Sequence, residues 1–314
     1  MPNLDGGHYF LTVLAPIAGA RDDGELTSPV HRVRDALETL PTALQSRAAE
    51  ATGLGSPFAR NARTHLARFF VIDDPYFNGR DPADSIVTAI AKTDLLAPRP
   101  VDHLGCPYLV FAADFDPDGQ GGPEPQTYLE NLWDAMQPEL KVVFGECVGF
   151  DQVRDRGGFA DFIIARQVET TMPFNDYWTV PPPLPTLPVW MLIAPPAIAV
   201  LTGIFTAFMG TPWLTALGMG LSLLLLSLAF DFWLVSSVGD KPFPAAPNAT
   251  LPHVLKALYL QQAFTRFAID NQGAEPAALR QAFAAFAERH RPGDLSGPTQ
   301  APGVIRSQTA GQGG

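Results

Sequence analysis

The chain has 314 residues, 46% of them apolar, with a formal net charge of −11 and a pI near 4.9. That length suits one sizeable domain with a membrane element, or two small domains. The acidic balance and the lack of any basic run exclude a phosphate-backbone partner, so no nucleic-acid role is expected. A mean hydropathy of +0.07 is ordinary, so a membrane signal has to be local. Cys106 and Cys147 are the two cysteines and form no C-x-x-C arrangement, which points to neither a disulfide framework nor a zinc knuckle and fits a reducing, cytoplasmic setting. Residues 1–7 carry neither the basic nor the apolar region of a secretory signal, so the first domain is expected to stay inside.

Apolar periodicity then switches in an orderly way along residues 1–176, the expected soluble domain. Tyr9–Ala15 reads as a strand, and Val30–Ala49 as an amphipathic helix with Val33, Ala36, Leu37, Leu40 and Leu44 at helical spacing. His65–Asp73 and Tyr108–Phe115 read as strands rich in aromatic and β-branched residues, Gln126–Val143 as a second helix, and Phe159–Val168 as a fourth strand. The order βαββαβ is that of an α+β, ferredoxin-like antiparallel sheet with two helices on one face and the other face free. A long connection, Pro75–Cys106, separates the two central strands and holds Arg80, Asp81, Asp84 and Lys92, with a short helix expected around Ser85–Lys92.

Residues 177–240 form the expected membrane hairpin. From Tyr177 to Phe230 there is no Asp, Glu, Lys, Arg or His, a run far longer than the ~20 residues one crossing needs. Two spans fit, about 189–209 and 213–235, joined at Gly210-Thr211-Pro212. Trp190, Trp213 and Trp233 fall near the span ends, where amphipathic rings favour the interface. Leu221–Phe230 is apolar on every face, unlike a packed soluble helix. Pro195-Pro196 should bend the first span. The uncharged turn, with Arg166, Lys241 and Lys256 flanking the other ends, predicts both termini in the cytoplasm. Asp231 reads as a solvated end-of-helix carboxylate rather than part of an ion path.

In the C-terminal segment, 241–291, Ala263–Ile269 alternates as a strand would and Pro276–His290 reads as a helix with proline in its first turn. Strand, polar loop and helix there echo the first strand and helix of the chain, which suggests a βα unit packed on the soluble domain. A continuous amphipathic helix on the membrane surface from Leu251 is the competing reading. The tail, 292–314, rich in Gly, Pro, Gln, Ser and Thr, is expected to be disordered.

The run Thr64-His65-Leu66-Ala67-Arg68-Phe69-Phe70-Val71-Ile72-Asp73-Asp74 resembles a set of uncharacterised bacterial proteins with a Thr-His-Phe-Ala-Arg-aromatic strand. Phe115-Asp116 stands where that family has a strand ending Phe-Asp-Gly, Tyr128-Leu129 where it has a helix opening Tyr-Leu, and Phe162–Tyr177 is similar to its closing strand and loop. Leu66 replaces Phe, and Pro117-Asp118-Gly119 lengthens the Asp-Gly turn. The resemblance covers about half of the chain and implies a ferredoxin-like fold akin to the dimeric α+β barrels of small monooxygenases and haem peroxidases, with no activity attached.

Candidate chemistry is sparse. Alternation puts His65, Phe69 and Asp73 on one side of their strand and Arg68 and Phe70 on the other. His65 is the candidate haem ligand or general base, against the plainer reading of a hydrogen-bonded strand-end histidine. Arg68 and Arg166, in apolar strands, are candidates to pair across strands with Asp114 and Asp161 and so to hold a ligand, or only to stabilise the sheet. Asp114-Phe115-Asp116-Pro117-Asp118-Gly119 opens like a calcium loop, but Pro125 stands where the bidentate Glu belongs, so a turn capping the next helix is expected instead. Asp102, His103 and Cys106 are half of a metal site with no second half, and no metal is expected. Cys147 reads as a buried small hydrophobe. No phosphate loop or dinucleotide fingerprint occurs.

The sequence therefore predicts a membrane-anchored interaction or ligand-binding module whose free sheet face forms a homodimer or binds a partner. The alternative is a membrane-bound oxidoreductase that uses His65 and Arg68 to hold haem or an apolar organic substrate. A transporter is disfavoured, since two spans without paired intramembrane charges make no pathway.

Overall fold

The computed structural model describes residues 3–19, 26–42, 51–73, 90, 104–118, 124–169, 182, 184, 186–241 and 243–304. Of the helix expected around Ser85–Lys92 only Ile90 is described, in helical conformation; Arg80, Asp81, Asp84, Asp102, His103 and Tyr177 lie outside these residues. The chain forms two compact units, one of residues 9–170 with 248–314 and one of residues 1–8 with 171–247.

Strands β1 (Leu4–Asp5), β2 (His8–Pro16), β3 (Thr64–Ile72) and β4 (Tyr108–Phe115) form a four-stranded antiparallel sheet in the order β1-β2-β4-β3. Register places Val13 and Phe69 on either side of Phe111, so the odd-numbered residues of β2, β3 and β4 share a face. That face is the core: Leu11, Val13, Ala15, Leu109, Phe111 and Phe115 are buried. The opposite face of β3 carries the exposed Leu66, Phe70 and Ile72.

Helix α1 (Pro29–Thr39) starts at Ser28, whose hydroxyl accepts from the His31 amide at 3.3 Å. It stops short of the expected Ala49 because Pro41 forces Leu40 out of the helical region, to φ −70 and ψ 121. Helix α2 (Gln126–Phe144) matches its expected span and turns Leu129, Leu132, Met136, Leu140 and Phe144 into the core. Phe144 meets Phe69 and Phe111 edge-on, at 5.8 and 6.2 Å between ring centres. Pro138, which has no amide hydrogen, lies two residues after the kink at Met136.

Residues 159–168, expected as a fourth strand, are mostly helix: α3 spans Arg156–Ile164. Asp155 caps it by accepting from the Gly158 amide at 2.8 Å, and Phe159, Ala160, Phe162 and Ile163 bury themselves at helical spacing. Only Gln167 bridges Val13. Asp161 thereby sits on the exposed side of a helix, not in a strand.

The expected C-terminal βα segment is instead two helices, α6 (Leu251–Asp270) and α7 (Pro276–His290). Phe264 and Phe267, read above as strand residues, lie three apart on α6, and the Phe267 ring meets Phe283 and Phe286 of α7 at 5.9 and 5.0 Å. This helical pairing overturns the echo of a strand, loop and helix. Residues 292–304, expected to be disordered, fold back on α6: buried Lys256 donates to the Pro298 carbonyl at 2.9 Å and Gln262 donates to Gln300 at 3.0 Å.

In the other unit, α4 (Trp190–Phe208) and α5 (Trp213–Gly239) pair as an antiparallel hairpin through Gly210-Thr211-Pro212. Both are long and apolar enough to cross a membrane. At 1.5 Å per residue they measure roughly 28 and 40 Å. Their apolar side chains face outward, with Leu201, Phe205, Leu225 and Phe232 all exposed, whereas a core helix of a soluble protein would bury them. Small residues let the helices approach: Ala199 and Ala216 are buried, and a Cβ on Gly203 would stand 3.0 Å from Gly220 Cα.

Candidate functional site

Polar side chains gather where β3 begins and β4 ends. Thr64 pairs with Phe115 and Leu66 with Asp114, so His65 is the extra residue of an irregular register, and Asp116 follows directly on β4. His65 Nε2 lies 2.8 Å from Asp116 Oδ1, with the two side chains only 16% and 12% exposed. An ionised carboxylate oxygen can only accept, so this contact places a hydrogen on His65 Nε2 and orients the ring.

The other carboxylate oxygen, Asp116 Oδ2, accepts from the Leu251 amide at 2.8 Å. Thr250, the residue that would normally cap α6, uses its hydroxyl on His253 Nδ1 at 2.6 Å instead. Asp116 thus caps α6 from β4, and its negative charge suits the positive end of the helix dipole. The expected role of the acidic turn, capping the next helix, is not what occurs: α2 has Pro125 at its cap position and no side-chain cap.

Arg63 closes the cluster from below. Its Nε donates to the Asp116 carbonyl at 2.7 Å, and its guanidinium pairs with Glu124, both side chains being largely buried. Glu124 also accepts from the Asp118 amide at 2.8 Å. Beside it, Phe115 and Tyr128 stack with centroids 3.6 Å apart, and Arg63 lies 5.6 and 5.9 Å from the two rings. The Tyr128 phenol meets Thr64 Oγ1 at 3.0 Å; burial drives its pKa far up, opposed by the Thr64 bond and the Arg63 charge.

The remaining sequence candidates lie elsewhere. Arg68 projects from the exposed face of β3, 5.9 Å from the Phe70 ring, so it and His65 do not converge. Asp114 sits on β4 opposite Phe10 and Leu66. Arg166, just past α3, donates to the Phe162 and Val148 carbonyls at 2.9 and 2.8 Å, with its guanidinium 3.7 Å from the Phe162 ring. Burial lowers its pKa. Arg166 also lies close enough to Cys147 to favour the thiolate, yet burial wins and pushes that thiol up to about 12. Roles for Arg63 and Glu124 were not foreseen; the acidic Asp-x-Asp-Pro-Asp turn, the candidate His65 and the resemblance at Thr64-His65, Phe115-Asp116 and Tyr128 pointed to the place, though not to the pairing.

Comparison of the chain with protein-family models, with curated proteins and with solved structures gives no match.

Proposed function

We propose that the chain is a membrane-anchored interaction module whose α4–α5 hairpin crosses the bilayer, with both termini in the cytoplasm, and whose exposed edge strand β3 takes a second copy; the expected free sheet face narrows to this strand, since Phe10 and Val110 beside it are buried. The observation that carries this is the exposure of Leu66, Phe70 and Ile72, at 69%, 41% and 38%, along one side of β3. Apolar side chains aligned on one strand face are what a sheet-to-sheet contact buries. The architecture is a reduced ferredoxin-like one. β2, β4 and β3 follow the 1-3-2 part of that sheet, and the Gln167 bridge to Val13 stands as a stub of the fourth strand. This fits the family suggested by residues 64–74.

The test is the mass of the full-length protein by light scattering, corrected for detergent. A dimer is expected, and Leu66→Asp combined with Phe70→Asp should yield a monomer with unchanged helix content. A monomeric wild type, or a double variant that stays dimeric, refutes the sheet-face contact.

A second reading, an oxidoreductase holding haem or an apolar organic substrate, draws on the Asp116–His65 bond, since a carboxylate commonly orients a ligating histidine. A Soret band in protein expressed with haem, lost in His65→Ala, supports it. Failure of added haem to bind eliminates the haem version.

A further inference from the structure

The pair α6–α7 leaves an aromatic face uncovered. Phe264, Phe267, Phe283 and Phe286 form one continuous set of ring contacts between 5.0 and 6.1 Å, yet Phe264 and Phe283 each keep 51% of their surface exposed. One turn before Phe283, Leu279 is 39% exposed, and Ile269 at the end of α6 is 58% exposed. A hairpin that only packed on itself would not display this much ring surface to water.

We infer that this face lies on the lipid surface, with the rings at the boundary of headgroups and acyl chains. Three observations favour lipid over other occupants. First, α6 begins twelve residues after α5 ends. A linker of that length spans at most about 40 Å, so a membrane-crossing α5 keeps the start of α6 within reach of the bilayer surface. Second, the charge is locally inverted: residues 248–314 carry six Lys and Arg against four Asp and Glu, in a chain whose net charge is −11. Exposed Arg280, three residues from Phe283, places a cation beside the rings, where anionic headgroups lie. Third, α7 is mainly alanine between its aromatic residues and exposed along nearly its whole length, a pattern that suits a shallow interfacial helix better than a protein interface with pockets to fill.

The inference rests on the anchored reading of α4–α5, so the experiment reports on both. Nitroxide labels are placed on single cysteines replacing Phe283, Ala285 or Leu225 in the full chain carrying Cys106→Ser and Cys147→Ala. Each protein is reconstituted into phosphatidylcholine vesicles with a minority of phosphatidylglycerol. Accessibility is read against oxygen, which concentrates in lipid, and against a water-soluble nickel chelate. The expected result is a ratio favouring oxygen at 225 and 283 and favouring nickel at 285, on the far side of α7. A water-exposed label at 225 defeats the anchored reading itself. A lipid-exposed label at 225 with a nickel-accessible label at 283 overturns only the docking of α7. A label at 283 shielded from both reagents also overturns it, in favour of a protein covering that face.

Discussion

Asp116→Ala isolates the contact that fastens α6 to the sheet. The substitution removes the acceptor of the Leu251 amide and of His65 Nε2, both at 2.8 Å, from a side chain only 12% exposed, so water screens little of the loss. Loss of a cap costs about 1 kcal/mol, and the dipole of α6 adds roughly 0.3–1 kcal/mol. The bond to His65 involves a charged acceptor and is worth about 1.5–3 kcal/mol. Global destabilisation of about 3–5 kcal/mol is therefore expected, of which the cap and dipole share, about 1–2 kcal/mol, falls on the first turn of α6. At 1.4 kcal/mol per factor of ten, hydrogen exchange at Val254 and Leu255 should quicken by roughly 5–30-fold. Asp116→Asn keeps one acceptor oxygen and should show about half the effect in free energy, while His65→Ala should leave the first turn of α6 protected. Exchange at α6 unchanged in Asp116→Ala would refute the cap, and equal losses in His65→Ala would show that the histidine, not the carboxylate, holds the helix.

Gly203→Ile should split the α4–α5 pair, since the added Cβ alone would lie 3.0 Å from Gly220 Cα; a loss of about 1–3 kcal/mol is expected, read as a lower melting temperature in detergent. Arg63→Gln strands the largely buried Glu124 and should cost about 3–5 kcal/mol, most of it recovered in Arg63→Gln with Glu124→Gln, as measured by chemical unfolding. Cys147, buried and with its thiol pushed up to about 12, should resist alkylation under conditions where half-exposed Cys106 reacts, as followed by mass spectrometry. Because the folded state holds this proton more tightly than the unfolded state, whose thiol titrates near 9.0, its contribution to stability should fall as pH rises from 9 towards 12, by up to about 1.4 kcal/mol per pH unit; Cys147→Ala should remove that share, seen most cleanly between pH 9 and 10, below the range where buried Tyr128 adds a slope of the same sign.

Three strands, near 9–15, 65–73 and 108–115, and the apolar hairpin were legible because their patterns favour one reading. Tyr108–Phe115 appears with the same bounds as expected, and the charge-free run yields two helices ending within a few residues of the predicted limits. Phe159–Val168 was misread because short apolar runs fit both periods. The deciding signals were Asp155 as a helix cap and burial at 159, 160, 162 and 163. Ala263–Ile269 failed similarly: Phe264 and Phe267 are three apart, a spacing that splits them between the two faces of a strand but puts them on one side of a helix, where Phe283 and Phe286 stand opposite. At the candidate site, His65 was visible as a strand-end histidine. Its partner was not, because Asp116 reaches it through strand pairing and reaches Leu251 across 135 positions, and neither contact has a local signature.

The central claim, that α4 and α5 anchor the domain in a bilayer, is tested most directly by alkaline carbonate extraction of cell membranes, with a protease-cleavable tag on each terminus. The account predicts that the full chain stays in the pellet, that a chain lacking residues 189–239 becomes extractable, and that protease added to right-side-out membrane preparations cleaves neither tag. Release of the full chain by carbonate would contradict the anchor, and cleavage of either tag would contradict the orientation.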